Sequence, residues 1–243
     1  GNVTNTEEYN GSTWTAGNAI DTAKRAHGQC GTQTASVLFG GLEPPGSRIA
    51  TVEEYDGTNY SSATSLPGNR SDMGASGTQT AALGFAGYID PGRSNNTFLY
   101  DGTSWTSGNN MNTARRLITV GSGFGTQTAG LAVNGLVSSK SSAVEEYDGT
   151  SWSEVNSTNT TRYSAATEAY DGTTFSATSN LGTARQALSG SGTASAALAC
   201  AGYIPPNTQT LTEEFNKSAV VTTGAAWASS GNMNTARGYV AGF

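Results

Sequence analysis

Histidine occurs once, cysteine twice, methionine three times and proline six times among 243 residues, and only 12 % of the chain is charged. Each scarcity excludes something. One histidine, His27, is too few for a metal centre that needs two imidazole ligands. Cys30 and Cys200 stand in different strands, at places that other copies of the repeat described below fill with Ser76 and Phe85. They are read as buried free thiols, since a bridge needs Cα atoms within roughly 7 Å. With 12 Lys and Arg against 18 Asp and Glu the net charge is -6, whereas a phosphate backbone needs clustered cations, so no nucleic-acid partner is expected. No window approaches about 18 uninterrupted apolar residues, so no membrane insertion is expected either. There is no signal-peptide pattern and no initiator Met, and Gly1 is expected to begin a processed chain or a fragment.

What the chain has instead is glycine, 32 of them, with Thr, Ser, Ala and Asn, and one phrase written again and again. VEEYDGTSW at 144–152 returns as TEEYNGSTW, VEEYDGTNY, FLYDGTSW, TEAYDGTTF and a stretched TEEFNK. Its aromatic falls at Tyr9, Tyr55, Tyr100, Tyr147, Tyr170 and Phe215, at intervals of 46, 45, 47, 23 and 45 residues. The unit from 115 reads as a strand (RRLITVGSG), a turn (GFGTQT), a second strand (AGLAVNGL), a loop, a third strand (SAVEEY), an Asp-Gly hairpin turn and a fourth strand around Trp152. Four antiparallel strands every ~45 residues is the pattern of a propeller blade. A two-residue Asp148-Gly149 turn would set Tyr147 against Thr150 and make Tyr147 and Trp152 diagonal neighbours on one face. The ring five residues after the tyrosine recurs as Trp14, Tyr60, Trp105, Trp152 and Phe175, with Trp227 further on. These rings are expected between blades.

A second series precedes each first strand: Lys24, Arg70, Arg115, Arg162, Arg185 and Arg237. One Glu per unit (Glu7, Glu53, Glu145, Glu168, Glu213) lies on the aromatic's face, with Phe98 replacing it once, and cation and Glu are expected to pair at blade junctions. The fold expected is therefore all-β: one six-bladed propeller domain over residues 1–243. The N-terminal hairpin would pair with the C-terminal strand to close the ring and hide its edges. One blade is short of half a repeat near 162–168, either by a real deletion or because residues are missing from the numbering; the second is favoured.

A small residue followed by Gly ends the second strand (Gly40-Gly41, Ala86-Gly87, Asn134-Gly135, Ala201-Gly202), an aromatic follows in the third, and a Trp-class ring stands a fixed step later. This resembles the kelch repeat, whose copies form β-propellers, over essentially the whole chain. The dialect, with GTQTA, EEYDGTSW and NMNTAR, is similar to kelch-like propellers of bacteriophages, notably marine ones, among virion and tail-fibre proteins. The resemblance implies a virion or extracellular location and a partner that is a virion or fibre protein or a surface glycan. The kelch-type copper oxidase would imply two histidine ligands, and His27 stands alone. No metal or cofactor is expected.

Catalysis by a carboxylate pair needs two groups roughly 5 to 9.5 Å apart. Nine acidic residues are strand glutamates and Asp56, Asp101, Asp148 and Asp171 are turn residues, which leaves Asp21, Glu43, Asp72, Asp90 and Glu154. GSGFG at 121–125 resembles a phosphate loop but has no helix after it. The expected function is non-enzymatic: a structural or adhesion module binding through its second-to-third-strand loops at 41–48, 88–96, 134–142 and 203–210. Tyr88, Arg93, Tyr203 and Asn207 are the candidate binding residues. The alternative is a polysaccharide-acting hydrolase with its site in a central channel.

Overall fold

A computed structural model describes residues 3–118, 125–159, 168–170, 172–177, 181, 183, 189–192, 196–200, 203–216 and 226–229. Among them the chain is all-β, without a helix. Four antiparallel sheets of four strands follow one another in sequence, each a plain meander. The first comprises Gly28–Thr32, Ala35–Phe39, Val52–Tyr55 and Tyr60–Ala63, and the second Gly74–Thr78, Ala81–Phe85, Thr97–Tyr100 and Trp105–Gly108. The third comprises Gly125–Thr126, Ala129–Val133, Val144–Tyr147 and Trp152–Val155, and the fourth Ser189–Gly192, Ala196–Cys200, Thr212–Asn216 and Ala226–Ser229. Two hairpins carry the repeated phrase without described inner strands: Thr6–Tyr9 with Trp14–Gly17, and Glu168–Tyr170 with Phe175–Ala177. The short interval near 162–168, Arg162, Arg185, Arg237 and the C-terminal strand lie outside the described residues, apart from Glu168 itself.

The hairpin turn differs from expectation. Tyr147 stands directly opposite Trp152, and Tyr9, Tyr55 and Tyr100 likewise face Trp14, Tyr60 and Trp105. The loop is therefore four residues, not Asp-Gly alone, and the ring pairs are directly opposed rather than diagonal. The aspartate is the reason. Asp148 Oδ1 accepts the amides of Thr150 and Ser151 at 2.8 and 2.7 Å, and Asp148 N–H donates to Ser151 at 3.1 Å. Only Gly149 needs a positive φ, +91°, so the strain of a left-handed Asp is avoided. Asp56 and Asp101 repeat these bonds, which hold their carboxyls below the usual pKa.

The core lies between sheets. At the first seam Phe39 packs on Trp105 with centroids 5.0 Å apart, and at the second Phe85 packs on Trp152 at 4.9 Å. Glycine makes the room: a Cβ on Gly28 would lie 2.4 Å from the Phe39 ring, and one on Gly74 2.2 Å from the Phe85 ring. Polar side chains complete each seam. Tyr100 Oη donates to Glu54 at 2.8 Å, and Tyr55 Oη donates to Glu8. Gln79 Nε2 donates to the carbonyls of Ser36 and Tyr55 in the preceding sheet at 3.2 and 2.8 Å. Gln127 does the same to Ala82 and Tyr100 at 3.0 and 2.7 Å. The N-terminal hairpin meets the fourth sheet in the same way: Tyr9 Oη donates to Glu214 at 2.9 Å and Trp14 Nε1 to Thr212 at 3.2 Å. Trp152 Nε1 makes the second contact to Thr97 at 2.9 Å. Where the equivalent residue is Val52, Trp105 turns to the Thr64 carbonyl at 3.1 Å.

The recurrent cation sits in the crossover entering each of the first three sheets. Arg115 is fully buried, its guanidinium 2.7 Å from Glu145 and bonded to the carbonyls of Asn134 and Ala143 at 3.1 and 2.7 Å. Glu145 also accepts the Asn112 amide at 2.7 Å. Lys24 lies 2.8 Å from Glu53, which accepts the Asp21 amide at 2.7 Å. In the unit where Phe98 replaces Glu, Arg70 stacks its guanidinium 4.2 Å above the Phe98 ring. Cys30 is a buried free thiol, its pKa pushed up to about 12 by desolvation; the Cys200 side chain lies outside what is described.

Glu145→Gln leaves the buried Arg115 charge without its counter-charge, and it should cost about 3–5 kcal/mol in urea unfolding. The apolar double variant Arg115→Met/Glu145→Leu should recover most of that loss. Equal stability of the single variant and the parent would show that the pair contributes nothing.

Candidate functional site

The second-to-third-strand connections and the crossovers lie on one face. Leu42 bridges Arg25, Tyr88 bridges Ser71, and Leu136 bridges Arg116, each a backbone pairing between a connection and the crossover beside it. The small-Gly pair makes this contact possible. Ala86 and Gly87 have φ of +59° and +99°, and a Cβ on Gly87 would lie 2.7 Å from the Ser71 carbonyl. Gly87 N–H then donates to Arg115 at 2.9 Å, as Gly41 donates to Arg70 at 2.8 Å. The connections themselves form two-residue hairpins at Leu42–Glu43/Ser47–Arg48, Tyr88–Ile89/Gly92–Arg93 and Tyr203–Ile204/Asn207–Thr208.

A cluster of charge and aromatic surface gathers around Tyr88. Arg48 from the first sheet's hairpin places its guanidinium 4.2 Å from the Tyr88 ring centroid, and Arg116 approaches to 4.9 Å. Arg48 Nη1 reaches both oxygens of Asp90 at 2.6 and 2.7 Å. Arg116 lies 3.4 Å from Asp72. Asp72 is buried, and desolvation raises its pKa against the pull of Arg116 and Arg48. Its backbone is left-handed, with φ +56°, and links neighbouring crossovers: Asp72 N–H donates to the Ala26 carbonyl at 2.8 Å, and the Asp72 carbonyl accepts from Leu117 N–H at 3.1 Å.

The four candidate binding residues fall into two places. Tyr88 and Arg93 are cross-strand partners in one hairpin. Tyr88 is half-buried and engaged, its Oη donating to the Pro91 carbonyl at 3.3 Å, while Arg93 is exposed. Asn207 is exposed in the fourth sheet's hairpin and accepts from Gln209 at 3.1 Å; the Tyr203 side chain lies outside what is described. Among the described residues no contact joins the two pairs. The rings at Trp14, Tyr60, Trp105 and Trp152 are seam residues, and the side chains of Phe175 and Trp227 are outside the description.

Arg48 and Arg116 are not among the sequence candidates, and Asp72 and Asp90 enter there only as leftover carboxylates, not as binding residues. Their only signal is chemical: Arg48 and Asp90 are opposite charges at the tips of successive connections. Of the leftover carboxylates, Asp90 and Asp72 are matched to guanidinium groups, and Asp21 Oδ2 accepts from Ser62 at 3.4 Å. Glu154 stands opposite Glu145 and lines an open groove of about 420 Å³ with Val155, Asn156, Gly172 and Thr173. No group of three or more metal-ligating side chains occurs among the described residues.

His27 immediately precedes the first strand, where Met73 and Ile118 stand in the next two units, and both of those are buried. Desolvation, reinforced by Lys24, lowers its pKa from 6.5 to about 3. Unfolded chain takes a proton below pH 6.5 that the folded protein refuses until about pH 3, so acid favours unfolding across that window. His27→Met should lose less stability than the parent between neutral pH and pH 4 in thermal melts. Parallel pH profiles would show that the imidazole is solvated.

No helix among the described residues is long and apolar enough to cross a membrane. No family model matches the chain, and no curated protein matches it.

Proposed function

We propose that this chain is a six-bladed, kelch-like β-propeller acting as a non-enzymatic structural or adhesion module. It sits on a virus particle, as a virion or tail-fibre component of a bacteriophage, or on another extracellular surface. Its loop face binds a virion or fibre protein or a surface glycan. Ring closure is supported by the bonds of Tyr9 and Trp14 to Glu214 and Thr212, which repeat at the chain's ends the contacts made between consecutive sheets. Closure also removes sheet edges that would otherwise invite pairing with other chains.

The observation that carries the binding reading is the contrast between the two sides of the repeat. Seams and turns reuse the same bonds from unit to unit, while the connecting hairpins differ in length and chemistry yet hang from identical backbone contacts to the crossovers. Variable loops on a constant frame are where partners are met. Asp72 and Asp90, two of the five leftover carboxylates, are matched to guanidinium groups, which at the Tyr88 cluster favours binding over hydrolysis, because an acid–base pair needs one carboxyl free to hold a proton beside a second that is ionised.

A glycan array and a pull-down from particle components test the reading together. Tyr88→Ala, Arg93→Gln and Asn207→Ala should weaken whichever ligand is retained by at least about tenfold, the scale of one charge-assisted hydrogen bond. Their melting points should change little, except for Tyr88→Ala, which also loses its stacking. Retention of the ligand by all three variants would remove the loop face from the function.

A further inference from the structure

The loop-face hairpins repeat one arrangement with one substitution. Arg48, Arg93 and Lys140 are equivalent, standing opposite Leu42, Tyr88 and Leu136. The amide after each of them, on Ile49, Ser94 and Ser141, donates to Gly41, Gly87 and Gly135 at 3.1, 2.9 and 2.9 Å. Counting inward from the opposite strand, the third residue of each hairpin is Pro44, Asp90 and Ser138. Between the first two hairpins the cation and the third residue meet: Arg48 holds both oxygens of Asp90. One unit further on the cation is Arg93, but the place of Asp90 belongs to Ser138, which carries no charge. Arg93 is exposed, and among the described residues no carboxylate pairs with it.

We propose that this second junction is a carboxylate-binding subsite, in which Arg93 receives the carboxylate of an acidic sugar where Asp90 fills the preceding junction from within. The proposal rests on the loop-face reading above and names its ligand chemistry. Guanidinium is suited to the task because its planar donors match a carboxylate and it stays charged at every working pH. By the repeat, exposed Ser138 takes the place at which Asp90 meets Arg48, and its hydroxyl and that of Ser139 offer neutral donors and acceptors, which suit a sugar's hydroxyl groups. A peptide ligand would call for an apolar anchor pocket, and among the described residues the only exposed large hydrophobic side chain is Val3.

The test uses the full chain, with the arginine Nε–H resonances followed by NMR during titration with trigalacturonate. Maltotriose serves as the neutral control and a triglutamate peptide as the acidic non-sugar. The Arg93 signal should shift saturably with trigalacturonate and not with maltotriose. Affinity should fall at least about tenfold in Arg93→Gln. Ser138→Asp should lose it equally while melting no lower than the parent, because the new carboxylate occupies Arg93 as Asp90 occupies Arg48. An unshifted Arg93 signal, unchanged affinity in Ser138→Asp, or tighter binding of triglutamate than of trigalacturonate would each overturn the assignment. If trigalacturonate fails while another glycan or a particle protein still depends on the loops, the carboxylate subsite alone falls. If no ligand depends on them, the loop-face reading falls as well.

Discussion

Backbone ladders run within each sheet, and between sheets the backbone meets in the crossovers and connections, so along the seams themselves the relation of one sheet to the next depends on side chains that cross. Three kinds do so, and each solves a different part of the problem. Aromatic rings supply area, with Phe39 and Phe85 wedged against Trp105 and Trp152 in space that glycines leave open. Tyrosine hydroxyls supply direction: those of Tyr9, Tyr55 and Tyr100 each donate to a glutamate across the seam, which avoids burying an unsatisfied donor. Glutamines supply register: one amide nitrogen bonds two carbonyls that belong to paired strands, so Gln79 and Gln127 fit only where those strands end in step. Area alone would permit sliding. The polar contacts make sliding costly.

The crossovers impose a second constraint. A chain leaving one sheet must turn and enter the next with its backbone groups satisfied, and the buried glutamates do this work. Glu145 accepts an amide from the crossover and faces Arg115, which in turn bonds two carbonyls. Such a pair is a poor source of net stability, because desolvation offsets most of its attraction. What it provides is a unique arrangement: desolvation lowers the Arg115 pKa and Glu145 opposes that shift, so neither charge tolerates a displacement of its partner. The Phe98 unit shows that the demand is for something to hold the cation rather than for a carboxylate as such, since Arg70 is held there by a ring face.

Much of this architecture was legible in the spelling. Periodicity named the strands, and the recurrence of aromatic, glutamate and cation at fixed steps pointed to shared structural duties. The turn is not legible in the same way, because Asp-Gly admits two solutions. The choice between them depends on whether the aspartate side chain caps the loop amides, which the two letters do not reveal. The glutamine of GTQTA reads in sequence only as part of a turn. Its role needs the neighbouring sheet, about 45 residues away, and no local pattern carries that information. The Tyr88 cluster escaped for the same reason: Arg48, Asp72, Asp90 and Arg116 belong to four segments brought together only when sheets stack. Arg93 could be noticed as a charge in a variable loop, but its significance comes from comparison with Arg48, whose partner is visible only in three dimensions.

These two levels of structure also explain how a rigid frame can carry a changeable surface. The connections of the first three sheets are attached through backbone bonds to the crossovers, made possible by a left-handed pair of a small residue and Gly that excludes larger side chains. The side chains beyond that attachment are not part of the ring and glutamine contacts of the seam, so Pro44, Asp90 and Ser138 stand at equivalent places in their hairpins without altering the seam beneath. Where a hairpin keeps both members of a charge pair it locks to its neighbour; where it keeps one, the remaining charge faces solvent on a scaffold that holds it still. A binding group obtained in that way needs no new fold and little new sequence, because its position is already set by contacts that the scaffold makes for its own stability.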